Sequence, residues 1–430
     1  MCATTSCSMK NYRAVRGTRD ILPDEVPRWQ FVEATAREHL HRYGFREIRT
    51  PVLEGTELFA RSVGASTDIV RKEMYTFSAG DESVTLRPEN TASVVRAFVE
   101  HSLHRTATHE YPERLYYIGP MFRHERPQKG RQRQFHQVGV EVLGSASPLA
   151  DAETLQMLWS WLARLQIRGL TLSINSVGDA TCRPGFREAL RAWLLPRLPQ
   201  LCEDCNRRYA ENPLRVFDCK VEADRALLGD APTLLDLLCA PCRAHFDEVQ
   251  ALLRGYEIPF TVDGRMVRGL DYYQRTVFEV TSSALGAQNA VLGGGRYDGL
   301  VEELGGPPVP GFGFALGIER LLLLLPEGEG AAAPLDVAVI ALGTDGFAAA
   351  VSLTRRLREG GVSAVMPLAE RPLSAQIRRA ERQGARFALF VGKDEVAAGR
   401  YGLKDLHTGE QREATLEDVV GAASGRIHVG

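Results

Sequence analysis

Six basic side chains, Arg114, Arg123, Arg126, Lys129, Arg131 and Arg133, fall between Pro112 and His136 against two acids, Glu113 and Glu125. A local excess of positive charge this dense is suited to a polyanion, phosphate groups above all. The residues that follow alternate like a strand, with Phe135, Gln137, Gly139 and Glu141 on one face and His136, Val138, Val140 and Val142 on the other. The valine face is core. The other face offers an aromatic plate, an amide, a gap where a ligand can approach the backbone, and a carboxylate, although a solvated sheet face would show the same pattern. Further along, Gly317-Ile-Glu319-Arg320 opens a helix where backbone N–H groups and Arg320 can meet phosphate. The runs Gly293-Gly-Gly-Arg-Tyr-Asp298 and Gly311-Phe-Gly-Phe-Ala-Leu-Gly317 match neither the phosphate loop nor the dinucleotide fingerprint, which disfavours both simple nucleotide folds.

The chain has eight cysteines and no export signal, so thiols are expected rather than a disulfide framework. Cys202-x-x-Cys205 and Cys239-x-x-Cys242 have the ligand spacing of a structural zinc site, although the 33 residues between the pairs exceed the usual separation. Plain thiols are the other reading, and no metal ligand is assigned.

The elements that must hold these residues begin with a helix over Glu25 to Tyr43, where Trp29, Val32, Ala36, Leu40 and Tyr43 make one apolar face and Gly44 ends the run. Phe45 to Leu53 reads as a strand. Pro51 inside it cannot donate a ladder hydrogen bond, which points to an edge or interface. Arg114 to Leu143 reads as an antiparallel hairpin whose long turn, His124 to Arg133, carries the basic cluster. Helical, Leu- and Arg-rich segments fill Phe186 to Tyr256, and β character returns at Thr276 to Thr281. Val291 to Leu300 reads as a glycine-rich turn, and Gly311 to Leu325 as strand into helix. The sheet is thus built from both sides of a helical insertion. Pro326 to Pro334 has linker composition. Beyond it, Val337 to Leu342, Ala364 to Met366 and Phe387 to Gly392 are short buried-type strands separated by helices, the rhythm of a small, mainly parallel α/β domain.

At 430 residues two or three domains are expected, and 44% hydrophobic with 25% charged residues is the composition of a globular protein. A net charge of −2 argues against nonspecific coating of nucleic acid. No apolar run approaches the roughly 20 residues of a membrane span, and Met1 to Ser8 lacks the apolar stretch of a signal peptide. A cytoplasmic protein with a disordered tail over residues 1–9 is expected.

Read together, the motifs resemble those of the class II aminoacyl-tRNA synthetases. That class shares a helix and strand with a proline, an FR-E hairpin, and a G-ER strand and helix. This chain shows them in order, as the helix and strand ending at Pro51, Phe122-Arg123-His124-Glu125, and Gly317-Ile-Glu319-Arg320. Arg268-Gly-Leu-Asp-Tyr-Tyr273 and Gly293-Gly-Gly-Arg-Tyr-Asp298 look like the two signatures of the histidyl enzymes, and the resemblance runs from Tyr12 to the C-terminus. It implies an α+β catalytic domain with an antiparallel class II sheet over residues 10–177 and 259–326. A helical insertion over 178–258 interrupts it. A linker at 327–334 and a C-terminal α/β anticodon-binding domain over 335–430 follow.

The resemblance further implies that L-histidine is activated with ATP and Mg2+ and then loaded onto tRNA(His) by a homodimer. Arg123 would bind the α-phosphate, Phe135 would stack on adenine, and Arg131 and Arg320 would hold the outer phosphates. Glu89, Thr91 and Gln137 would take the α-ammonium, and Glu141, Tyr272 and Tyr273 would line the imidazole pocket. Arg268 would be the catalytic cation, with a structural ion pair to Asp271 as its alternative. Asn90 stands where the family commonly has glycine, and asparagine tolerates left-handed backbone. Arginines rather than a nucleophilic side chain suit a reaction that needs positioning and cations at developing charge. Two rivals are a catalytically silent paralogue regulating histidine biosynthesis and a class II enzyme for another amino acid. Such paralogues typically lack the C-terminal domain and degrade the Arg-Gly-Leu-Asp-Tyr-Tyr signature, both of which this chain keeps. Glu141 with Tyr273 argues against the second rival.

Overall fold

The computed structural model of the protein describes residues 12–64, 67, 69–286 and 289–423, so the tail through Met9 lies outside the described residues. The chain divides into two compact units, residues 1–331 and 332–430. No helix among the described residues is long and apolar enough to cross a membrane.

The strands of the first unit are, in chain order, β1 (Arg46–Glu47), β2 (Leu53–Gly55), β3 (Tyr75–Ala79), β4 (Glu82–Leu86), β5 (Glu113–Phe122) and β6 (Gln134–Leu143). They continue with β7 (Leu170–Ser176), β8 (Thr261–Val262), β9 (Gln274–Ser282), β10 (Ala290–Arg296) and β11 (Gly311–Gly317). Eight form one sheet in the order β1-β5-β6-β11-β10-β9-β7-β8, and β2-β4-β3 form a smaller one. The six central strands of the large sheet are antiparallel, with β1 and β8 added parallel at its edges. The hairpin of β5 and β6 pairs Glu113 with Leu143 and Phe122 with Gln134, leaving residues 123–133 as its turn.

One face of the sheet is buried under helices. Val138, Val140 and Val142 of β6 join Phe278, Phe312 and Phe314 in a single core with Trp29, Val32, Ala36 and Leu40 of the helix Val26–Arg42. Leu155, Leu158 and Trp161 of the helix Pro148–Arg164 complete it. Each large side chain buried there contributes about 1.5–3 kcal/mol relative to exposure. The helix after Pro27 closes where Gly44 takes φ +75, a conformation open to glycine without strain. The other sheet face carries the polar side chains.

Two sequence expectations change. Phe45 to Leu53 is not one strand, because β1 and β2 belong to different sheets with Pro51 between them. The carbonyl of Thr50 accepts instead from Arg87 Nη1 at 3.0 Å, so a buried guanidinium replaces the ladder there. Nor is the glycine-rich run from Val291 a turn, since Ala290–Arg296 is β10 in the middle of the sheet. A Cβ on Gly294 would stand 2.7 Å from Phe314 Cα, and one on Gly293 would meet the Arg268 guanidinium. The glycines make room; they do not turn the chain.

Between β7 and β8 lie the helices Arg183–Leu194, Glu203–Glu211, Glu222–Leu227 and Ala240–Gly255, joined by short 3-10 turns. Phe186, Leu190, Leu194, Val216 and Leu234 form a small core of their own together with Cys182, Cys205, Cys219 and Cys242.

The second unit has a five-stranded sheet ordered β13-β12-β14-β15-β16, with β12 (Val337–Ala341), β13 (Ala364–Val365), β14 (Phe387–Val391), β15 (Tyr401–Asp405) and β16 (Gln411–Ala414). The first three are parallel, while β15 and β16 are antiparallel. The sequence reading held only the parallel part. Lys404, Asp405, Arg412 and Glu413 make the antiparallel pair half-solvated, so it lacks the continuous apolar run of a buried strand.

Candidate active site

Glu141 lies on β6 with no exposed surface, held on the face opposite the valine core. Its carboxylate fits because β11 offers Gly313 opposite; a Cβ there would come within 3.0 Å of Glu141 Cδ. Thr91 Oγ1 donates to it at 2.7 Å, and the Tyr297 hydroxyl donates to its other oxygen. Burial raises its pKa to about 8 against the pull of these two donors.

Glu89 is also buried and accepts the backbone N–H groups of Thr91 at 2.8 Å and Ala92 at 2.9 Å, at the start of the helix Thr91–Glu100. Burial raises its pKa too, while the helix N–H groups oppose the shift. Asn90 sits at φ −122, so the left-handed backbone expected to test it is not required. Its side-chain carbonyl instead accepts from Arg87 Nη1 at 3.1 Å and Thr50 Oγ1 at 2.7 Å.

Gln137 is buried on the same face of β6 as Glu141, and its Oε1 has no hydrogen-bond partner among the described residues. An orphaned buried acceptor is costly unless a ligand donor arrives. Tyr272 and Tyr273 close the pocket edge to face at 4.7 Å between ring centroids, with Tyr297 stacked edge-on to Tyr272 at 5.7 Å. Burial pushes the Tyr273 hydroxyl up to about 12, with the Arg268 charge opposing, so it stays a protonated donor at neutral pH.

Arg268 lies over Gly293 and pairs through Nη1 with Glu279, while its buried Nε has no partner among the described residues. Asp271, the alternative partner, accepts from Arg215 Nη2 at 2.7 Å. On the hairpin side, Arg123 Nε donates to the Pro88 carbonyl at 2.8 Å and its guanidinium carbon stands 5.3 Å from the Phe135 ring centre. Arg131 binds Glu125 at 3.0 Å. Arg320 reaches the Gly130 carbonyl at 3.3 Å, and burial together with the charge of Arg131 lowers its pKa. Two guanidinium groups held close enough to feel each other are arranged for an anion.

The structure therefore brings Glu89, Thr91, Glu141, Tyr272 and Tyr273 together with Gln137 on the same strand face as Glu141, and it sets Arg268 near Tyr273 and its partner Glu279 near Arg320. Thr91 differs from its expected role in one respect, since its hydroxyl is turned to Glu141. Sequence reasoning missed Tyr297 as a pocket donor, though it stands inside the quoted Gly293 to Asp298 run. It also missed Glu279, whose strand pattern carries no catalytic signal. Glu319 fixes the hairpin by accepting the His136 N–H at 2.9 Å, and the His136 ring packs edge-on to Trp29 at 5.0 Å.

The two cysteine pairs do not form one site. Cys202 and Cys205 gather with Cys219 and Asp224, whereas Cys239 and Cys242 gather with Cys182 and Asp179. A spacing rule applied to the two pairs alone misses the third cysteine and the aspartate that the fold brings to each.

Known proteins are similar to the chain over both of its units. A family model described as histidyl-tRNA synthetase matches residues 17–321, and one described as anticodon binding domain matches residues 336–425. The histidine–tRNA ligase of Geobacter metallireducens is 50% identical over 404 residues, covering 94% of this chain and 97% of that protein. That of Anaeromyxobacter dehalogenans is 50% identical over 414 residues, covering 96% and 99%. The crystal structure of apo S. aureus histidyl-tRNA synthetase superposes with a TM-score of 0.79 at 37% identity, covering 96% of this chain and all of that one.

Proposed function

The chain belongs to the histidyl-tRNA synthetase family of class II aminoacyl-tRNA ligases, and on that premise we propose how its site performs the reaction. Histidine is activated with ATP to histidyl-adenylate and pyrophosphate, and the acyl group then passes to the 3′ end of tRNA(His). The full-length identity and the intact Arg268 to Tyr273 signature favour this enzyme over a silent regulatory paralogue.

Glu141 reads the imidazole. A ring N–H needs an acceptor, and the buried oxygens of Glu141, each already taking one hydroxyl, keep a further lone pair that a side chain unable to donate would leave unused. Tyr273 supplies a hydroxyl to the other side of the ring. Glu89 and Gln137 take the α-ammonium, with the empty acceptor of Gln137 filled by one of its protons. Arg268, whose Nε finds no partner among the described residues, holds the histidine carboxylate and an α-phosphate oxygen as charge grows between them. Arg123 grips the α-phosphate, Phe135 stacks on adenine, and Arg131 with Arg320 receives the outer phosphates and the departing pyrophosphate.

Magnesium enters with the nucleotide in this reading. The hard oxygen donors that fit it on the phosphate side are Glu125 and Glu279, each paired with an arginine; bound, it would neutralise phosphate charge. The protein works in the cytoplasm as a homodimer joined through the helix Val26–Arg42 and the segment after it. Exposed Leu53 and Phe77 on the small sheet support an interface in this region. The second unit binds the anticodon.

The observation that carries the reading is the buried Glu141 with its ring of hydroxyl donors. ATP–pyrophosphate exchange with each amino acid tests it: histidine alone should support exchange, and exchange with a different amino acid at comparable efficiency would overturn it.

A further inference from the structure

The helical segment between β7 and β8 holds two clusters that the aminoacylation chemistry does not use. In the first, Cys202, Cys205, Cys219 and Asp224 place four ligand atoms within 4.8 Å of one another, and Cys182, Cys239, Cys242 and Asp179 do the same in the second. Zn–S bonds of about 2.3 Å at tetrahedral angles separate two sulfurs by about 3.8 Å, and a sulfur from a carboxylate oxygen by about 3.6 Å. The observed spacings are close to these: Cys202 Sγ to Cys219 Sγ 3.8 Å, Cys219 Sγ to Asp224 Oδ2 3.4 Å, and Cys182 Sγ to Asp179 Oδ1 3.5 Å. All six cysteines are free thiols in the structure.

Asp224 distinguishes a metal site from a patch of buried thiols. It is 2% exposed, and among the described residues no Lys or Arg lies within ion-pair distance of it. Its oxygens face sulfur, together with the Cys202 N–H at 3.1 Å. A buried carboxylate without a cation is expensive, and a divalent ion among the three sulfurs removes that cost. Backbone geometry also favours thiolates. Cys182, Cys202 and Cys239 are the N-cap residues of the helices starting at Arg183, Glu203 and Ala240, and the N–H groups of Val221 and Cys239 point at Cys219 Sγ and Cys182 Sγ.

We propose that this segment binds two structural zinc ions, one held by Cys202, Cys205, Cys219 and Asp224 and the other by Cys182, Cys239, Cys242 and Asp179. Three thiolates with one carboxylate form a soft, closed set that suits zinc and leaves no position for substrate. Each ion enters as the three thiols of its site release three protons to solvent. The second site ties the chain just after β7 to the start of the last helix before β8, so it closes the segment at its base. The first clips together the short helices at its far end. The small apolar core between them, with no sheet of its own, explains the need for such staples.

Full-length protein, purified without chelator, saturated with zinc and then dialysed against zinc-free buffer, should retain two zinc per chain by plasma mass spectrometry. Cys205→Ser and Cys242→Ser should each retain one. Should either variant fail to fold, X-ray absorption on the unmodified protein decides instead, with an average shell of three sulfurs at about 2.3 Å and one oxygen at about 2.0–2.2 Å expected. Fewer than two retained zinc ions in the unmodified protein, a shell without sulfur, or a folded variant that keeps both ions would overturn the proposal.

Discussion

Gly293→Ala probes the catalytic cation without removing it. A Cβ on Gly293 would lie 2.7 Å from Arg268 Nη1 and closer still to Nη2 and Cζ. Non-bonded atoms settle at about 3.5 Å or more, so the guanidinium must give way by about 1 Å. The neighbouring strands hold β10 on both sides, which leaves the side chain as the part that moves. A displacement of that size at a reacting centre costs roughly 10²-fold in rate. Arg268→Ala, which removes the cation, should cost about 10² to 10³ in adenylate formation. Because both act through one group, the double variant should be little worse than Arg268→Ala alone. Rapid-quench single turnovers separate adenylate formation from transfer of preformed adenylate to tRNA, and the loss should fall on the first step. A folded Gly293→Ala enzyme that activates histidine at the normal rate, or a double variant in which the two losses multiply, would refute the placement of Arg268 in this step.

Removing residues after 334 should leave histidine-dependent pyrophosphate exchange in place while strongly raising the KM for tRNA; unchanged aminoacylation by the truncated chain would defeat the anticodon assignment. Asp151, with no exposed surface, accepts from His245 Nε2 at 2.9 Å and from the buried Arg296. Asp151→Ala should therefore destabilise by about 3–5 kcal/mol in denaturant titration, and a loss below about 1 kcal/mol would contradict the stranded-charge argument. Glu141 keeps its proton to about pH 8 in the empty fold, whereas the unfolded chain releases it near about pH 4.3. Between those values the folded state binds more protons, so this group's contribution to stability is fullest at low pH and declines as pH rises towards 8. Calorimetry should find Glu141→Gln gaining Tm relative to the parent between pH 5 and pH 8, and parallel pH profiles would count against the buried carboxyl.

Much of the site could be read from residue order because its strands alternate. Phe135, Gln137, Gly139 and Glu141 share a face by the two-residue period alone, and the valines between them identify the core. The glycine-rich β10 was misread for the opposite reason. Glycine signals a turn locally, whereas here Gly293 makes room for a guanidinium contributed from a distant part of the chain. Glu279 and Tyr297 were missed on the same ground, since the partners that give them meaning, Arg268 and Glu141, are remote in sequence. The cysteine pairs show a further limit. Spacing identified two ligand pairs, and only the fold shows that each pair has its own third sulfur and its own aspartate.

Recognition of the imidazole rests on Glu141, and titration calorimetry of Glu141→Gln with histidine and, separately, with ATP, run above pH 8 where the empty site carries the carboxylate, tests it most directly. Glutamine keeps the size of the side chain and loses its charge. Histidine affinity should fall by about 1.5–3 kcal/mol, the value of a hydrogen bond to a charged group, with ATP affinity near that of the parent. Unchanged histidine affinity, or equal losses for both ligands, would contradict it.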